Sequence, residues 1–296
     1  MFRQMSRFVS RFRDLEQQEF SQSIEEERQW RVLKEKLASP QISPPIVEQQ
    51  ESYQRKCIAV MSLYAQAGAS FLASNLAYAW SGKGIPVTLC ELPKVTSYYY
   101  FALDFERRVR QQVRDSPTPS LLMQNNHLRI QIESPAQLQH ESSQTDTANW
   151  LLRICKDSPI VVIDVSSYWN DLHSKQIFEH ADEIWVVFDA DLARLTRLFL
   201  VDQAPAWWKT ERRKIKMIAN KWNSQLSRTS IMKKVEGTLS LWDQQSGATQ
   251  VTDMIPLMDG EKTAMASAKA NLLLELFPEE EIEFQSLIHA CKGRML

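Results

Sequence analysis

The sequence predicts an α/β protein, with a mostly parallel, twisted sheet covered by helices on both faces and a helical extension at the N-terminus. Three observations predict it. Seven short apolar runs rich in β-formers recur at 57–63, 86–91, 127–132, 160–165, 183–188, 214–219 and 251–255. Most are separated by stretches long enough for a helix. The runs are continuously apolar rather than alternating, which is the pattern of strands buried on both faces, as in parallel sheets. At 296 residues, 44% of them hydrophobic, the chain can bury one large domain core and still carry an appendage.

Taken from the N-terminus, residues 1–38 are charge-rich and free of Gly and Pro. Phe2, Met5, Val9 and Phe12 fall on one helical face, which Phe8 and Leu15 widen, while Arg3, Arg7, Arg11 and Arg13 flank it. A stripe of this kind in residues 2–15 suits an anionic membrane surface, a partner's groove, or packing on its own domain or a second copy. From Leu15 to Leu37 acids and bases alternate, as on a solvated helix. Residues 39–55 hold Pro40, Pro44 and Pro45, an extended connector. The α/β domain is expected over 56–296.

Composition excludes several function classes. The net charge of −1 leaves no global basic excess, so no nucleic-acid partner is expected. Cys57, Cys90, Cys155 and Cys291 are widely spaced without a CxxC pair and sit in apolar contexts. They read as buried thiols in a reducing cytosol rather than as disulfides or a metal site. His127, His140, His173, His180 and His289 show no ligand-like spacing. No apolar run approaches the roughly 20 residues that span a bilayer, and the charged N-terminus has no apolar stretch of signal-peptide type. A cytoplasmic location follows, with membrane association only through a partner or the N-terminal helix. Several of the nine Trp lie outside the candidate strands: Trp150, Trp169, Trp207, Trp208 and Trp222. They mark either a contact surface or the cap of an irregular core.

The most informative stretch is "MSLYAQAGASFLASNLAYAWSGKGIPVTLCEL" at 61–92: strand, small-residue turn, helix, Gly turn, strand. Such a unit places a ligand at the carboxyl end of its first strand. Ser70 has no G-x-S-x-G context, so a hydrolase elbow is not indicated. The stretch resembles the start of the MinD/ParA branch of P-loop ATPases, whose first loop reads K-G-G-x-G-K-[ST]-[ST]. Further segments resemble that family in order: "PIVVIDVSSYWND" at 159–171, "ADEIWVVFDADLARLTRL" from Ala181, "KIKMIANKW" from Lys214, and "VTDMIPLMDGEKTAMASAKANLLLELFP" from Val251. Together they cover about residues 56–290.

The resemblance implies a P-loop NTPase-like fold and a nucleotide site, onto which this chain maps with losses. Gly68 matches the last loop glycine and Ser70 the Mg²⁺-binding hydroxyl, but Ala69 stands where the phosphate-binding Lys belongs. Tyr64 replaces the signature Lys that reaches across the family's dimer, and Ala65 and Gln66 replace two glycines. Glu91 keeps one carboxylate of an Asp-x-Asp pair, and Pro93 removes the other. Asp164 matches the acid that holds Mg²⁺ through water, and Asn220 the Asn that reads adenine. Residues 166–169 put Ser, Ser, Tyr and Trp where the family has a Pro-Pro-Gly switch, which suits a constitutive contact surface. Ser70 and Asp164 are metal ligands only if Mg-nucleotide still binds.

The expected function is therefore that of a catalytically degenerate scaffold or positioning subunit. It would recruit or localise a larger bacterial assembly (a pilus, secretion, flagellar, division or polysaccharide-synthesis machine). No cofactor is expected, or Mg-ATP is held only weakly. The resemblance implies a homodimer, or a heterodimer with a related ATPase. The alternative is a weak ATPase with a noncanonical loop, or one completed by a partner chain; Lys83 and Lys94 are the nearby in-chain cations. The acidic run at 279–281 follows Pro278 and reads as a helix start, with Phe284, Leu287, Ile288 and Cys291 as its apolar face and Gly293 as its stop.

Overall fold

The computed structural model describes residues 55–93, 95–110, 120–133, 147–223, 228–242 and 250–292. The expected extension at 1–38 with its 2–15 stripe, the linker up to residue 54, Lys94, His140, Gly293 and the side chain of Cys291 lie outside the described residues.

Eight strands form one sheet: β1 Lys56–Ser62, β2 Val87–Glu91, β3 Ser120–Met123, β4 Leu128–Gln131, β5 Ile160–Ser166, β6 Glu183–Phe188, β7 Ile215–Trp222 and β8 Val251–Pro256. Their order is β3-β4-β2-β5-β1-β6-β7-β8. All neighbouring pairs are parallel except β3–β4. Seven of the eight fall within the runs expected from sequence or overlap them; β3 does not.

The helices, in chain order, are α1 Ala69–Gly82, α2 Tyr98–Ala102, α3 Phe105–Arg110, α4 Thr147–Asp157, α5 Leu172–His180, α6 Leu192–Val201, α7 Ala206–Thr210, α8 Arg228–Leu239, α9 Gly260–Ala268, α10 Leu273–Leu276 and α11 Gln285–Lys292. Their starts are chemically marked. Ser97, Asp171, Asp191 and Asp259 cap α2, α5, α6 and α9 by accepting backbone N–H groups that have no partner within the helix.

Strand side chains alternate between two cores. Ile58 and Val60 of β1 join a core with α1, α2, α3 and the segment from Leu272 to Ile288. Cys57, Ala59 and Met61 join the opposite core with α4 to α8. The expected two-sided covering is thus observed. The five Trp singled out above are all 7% exposed or less, which corrects their reading as a contact surface. Trp169, Trp207, Trp208 and Trp242 stack with Phe178 and Phe199 into one buried aromatic cluster. Here burial of ring area outweighs the polar composition of the surrounding sequence.

The acidic run also follows its structural reading. A 3₁₀ turn, Pro278–Phe284, leads into α11, with Phe284, Leu287 and Ile288 fully buried. Its acids meet bases: Lys262 pairs with Glu279 and Glu280, and Lys83 pairs with Glu281 at 2.8 Å.

Candidate functional site

The chain passes from β1 to β2 across β5, and from β5 to β6 across β1. The direction of winding reverses at β1 and β5, and the crevice beyond their carboxyl ends is the topological switch point. Three sequence-predicted groups converge there: the loop at 63–68, Asp164 at the end of β5, and Asn220 at the end of β7.

The loop turns on Gly68, whose φ of 105° lies in the left-handed region. A Cβ at this position would stand 2.2 Å from Asn220 Nδ2, so the glycine also makes room for that amide. Asn220 Nδ2 donates to Ala67 O at 2.8 Å and is buried. It fastens the loop. Gln66, which the resemblance aligns with a loop glycine, adopts a φ of 70°. Its carbonyl accepts from Lys221 Nζ at 2.6 Å, a partner that motif matching did not single out. Ala67 N–H donates to Tyr64 O at 3.4 Å and Ala69 N–H to Ser62 Oγ at 3.1 Å, so both amides are aimed at protein acceptors. Ala69, the first residue of α1, is buried in the core.

Tyr64, in the place of the signature lysine, bonds across to the next loop. Its hydroxyl donates to Asp189 Oδ1 at 2.8 Å, and Arg194 lies over its ring at 5.6 Å. Burial, and then the Asp189 bond, push the phenol above its usual range.

Asp164 is 2% exposed. Its Oδ1 accepts from Ser166 N–H at 2.8 Å and from Ser166 Oγ at 3.2 Å. Its Oδ2 lies 3.0 Å from the Tyr99 hydroxyl, which is also 3.0 Å from Ser70 O and shares its single proton between the two acceptors. Ser70 Oγ meets Ser166 Oγ at 3.1 Å. Burial raises the Asp164 pKa, while hydrogen bonds from Ser70, Ser166 and Tyr99 oppose the rise. Tyr99 is itself 1% exposed. Sequence reasoning missed it. Its only signal was the aromatic run at 98–101, and nothing local aims one of four rings at a carboxylate 65 residues on.

Glu91 is the register partner of Asp164 on β2. It accepts from Tyr98 N–H at 2.7 Å and from the Ser97 hydroxyl, which fastens the start of α2. Burial raises its pKa to about 7, with the nearby Asp164 charge adding to the rise and the Ser97 bond opposing it. Among the described residues no group of three or more His, Cys, Asp or Glu could hold a metal ion.

Two further expectations resolve. Lys83, offered as a substitute for the loop lysine, caps the opposite end of α1 and is held by Glu281, so it does not face the loop. In the 166–169 segment, Tyr168 is 51% exposed, but Trp169 is buried, with its Nε1–H donating to Leu63 O at 3.1 Å. Half of the expected contact surface is therefore an internal tie between β5 and β1.

Known proteins place the fold. No protein-family profile and no curated protein sequence matches the chain. Solved structures do. MinD in the MinC:MinD cell division complex of Aquifex aeolicus superposes with a TM-score of 0.56 at 14% identity, covering 81% of this chain and 96% of the other. MinD of Pyrococcus horikoshii OT3, complexed with Mg-ADP, gives 0.54 at 12% identity over 81% and 96%. A ParA family ATPase from Chlorobium tepidum TLS gives 0.52 at 17% identity over 81% and 98%. The chain has a MinD/ParA-like fold. Among the described residues, no helix is long and apolar enough to cross a membrane.

Proposed function

We propose that this chain, a MinD/ParA-like fold with an altered phosphate loop, is a scaffold or positioning subunit that does not hydrolyse ATP. It would serve a larger bacterial assembly of the pilus, secretion, flagellar, division or polysaccharide-synthesis kind. The observation that carries the reading is the Tyr99 hydroxyl on Asp164, backed by Ser70 and Ser166. The residues present do not fit Mg-nucleotide. The carboxylate that would face the metal's water is engaged by protein hydroxyls, and the lysine position is a buried alanine. Charge-assisted hydrogen bonds are each worth about 1.5–3 kcal/mol, so losing two weakens binding by orders of magnitude. It also removes the charge that stabilises phosphoryl transfer.

What remains at the carboxyl edge is contact material. Tyr98, Phe101, Tyr168 and Leu172 are each more than half exposed there. Isolated exposed apolar groups are ordinary, but four following two adjacent strands suit contact with a protein partner. Dimer formation, homotypic or with a related ATPase, belongs to the same proposal.

One observation favours a second reading, a weak ATPase. Lys221 Nζ sits on the Gln66 carbonyl, so a cation does reach the loop, from β7 rather than from within it. Phosphate release with Mg-ATP separates the two readings. The scaffold reading expects release at the buffer rate in wild type, Lys221→Ala and Asp164→Ala alike. The ATPase reading expects release in wild type that both substitutions abolish.

A further inference from the structure

A groove opens where α1, α2 and α9 meet the segment that leads into α10. Its apolar walls come from Phe71, Tyr99, Leu103 and Leu272, and none of the residues that line it carries a charge. Its free volume is about 90 Å³. One water needs roughly 10–15 Å³ of such space, so there is room for a molecule the size of a single substituted ring and not for a nucleotide.

The polar groups of the groove fall into two sets. Those on its floor are bonded within the protein. Ser74 Oγ donates to Ser70 O at 2.8 Å, and Thr263 Oγ1 donates to Asp259 O at 3.0 Å. Asn75 donates to Phe71 O at 2.8 Å and accepts from Leu274 N–H at 3.0 Å. The Tyr98 hydroxyl, the Ser267 hydroxyl and the Asn271 side-chain amide, by contrast, make no hydrogen bond to any described residue. Tyr98 and Ser267 are exposed and Asn271 is half-buried, so the unpaired donors and acceptors stand at the mouth.

We infer that this groove binds a small, uncharged aromatic molecule with an amide or hydroxyl edge, its ring on the apolar walls and its edge on the Asn271 amide. Ligand sites of this kind combine apolar walls with a few polar groups that fix orientation. Asn271 offers both a donor and an acceptor, the complement of an amide edge. An ion is not accommodated, because a charge leaving water finds no counter-ion among the lining residues. Tyr99 belongs to the groove and also bonds Asp164 at 3.0 Å, so an occupant packs on the residue that closes the crevice beyond β5. The groove is thus an effector site beside the switch point, and its chemistry is the same whether or not the crevice keeps a nucleotide.

The test titrates the full chain with benzamide, and with benzamidinium and benzoate as probes of the same ring and either charge, by saturation-transfer NMR near neutral pH. Benzamide is expected to bind with a dissociation constant of about 1 mM or tighter, and the two ions about tenfold more weakly or not at all. Ser267→Leu on one side of the groove and Ala102→Leu on the other narrow it at positions that are not buried. Each should weaken benzamide by about tenfold while the circular dichroism spectrum stays that of the wild type. Asn271→Asp puts a carboxylate at the mouth and should let benzamidinium bind in place of benzamide. Absence of benzamide binding at about 10 mM, equal binding of all three probes, or benzamide affinity unchanged in both leucine variants overturns the inference.

Discussion

A carboxylate at the end of β5 is held by hydroxyls and one backbone N–H rather than by a cation. Taking a carboxylate out of water is costly unless each oxygen finds donors, and Asp164 finds them in Tyr99 and Ser166. Tyr99→Phe removes one donor while keeping the ring in its buried place. The expected loss is about 1.5–3 kcal/mol of unfolding free energy, the value of a hydrogen bond to a charged group, read as a lowered denaturant midpoint at unchanged slope. Glu91 gives this corner a pH dependence. Its folded-state pKa, raised to about 7 by burial, exceeds that of the unfolded chain, so the folded state binds the extra proton. Its contribution to stability is present below the unfolded carboxyl value of about 4.3 and is lost as pH rises through about 7. Asp164 shifts in the same direction. Unfolding midpoints should therefore fall between about pH 4 and pH 7, and Glu91→Gln should flatten that fall.

The segment after β5 is tied into the core. Ser166 leaves the strand with a φ of 51°, and Trp169 then turns inward. Its indole N–H holds Leu63 O, and its own carbonyl accepts from Trp207 Nε1 at 3.2 Å. A loop fixed at both ends in an aromatic cluster is poorly suited to follow a bound nucleotide's phosphate. Trp169→Ala should cost about 3–5 kcal/mol by leaving a cavity among Trp207, Trp242 and Leu63, as a lowered melting temperature in calorimetry would show. Which elements were legible in the sequence follows from the same physics. Long, continuously apolar strands such as β5 and β6 announce themselves, as does the small-residue turn between β1 and α1. The four-residue β3 does not, since it exists through antiparallel pairing with β4 across a turn in which Gln124, Asn125 and Asn126 all take positive φ. At the site, the resemblance placed Ala69 and Tyr64 where lysines were expected, from position alone. The groups that meet there, Tyr99 of α2, Asp189 after β6 and Lys221 of β7, were not legible in this way, because each arrives from a separate element through tertiary packing.

For the whole molecule, a two-sided α/β sheet fixes where chemistry would happen, at the switch point beyond β1 and β5, whatever residues stand there. Here the chain's own groups bond to one another around that crevice. The loop is fastened by Asn220 and Lys221, bridged through Tyr64 to Asp189, and closed over Asp164 by Tyr99. A sheet held in this way presents a fixed carboxyl edge with exposed aromatic groups, which suits a constant partner better than a nucleotide cycle. The most direct test of this account is isothermal titration of the full chain with Mg-ATP. The account predicts no binding tighter than about 10 μM, and no change in the isotherm on Asp164→Ala. Binding tighter than about 10 μM that Asp164→Ala abolishes would contradict it, because the carboxylate would then be serving the nucleotide's metal rather than Tyr99.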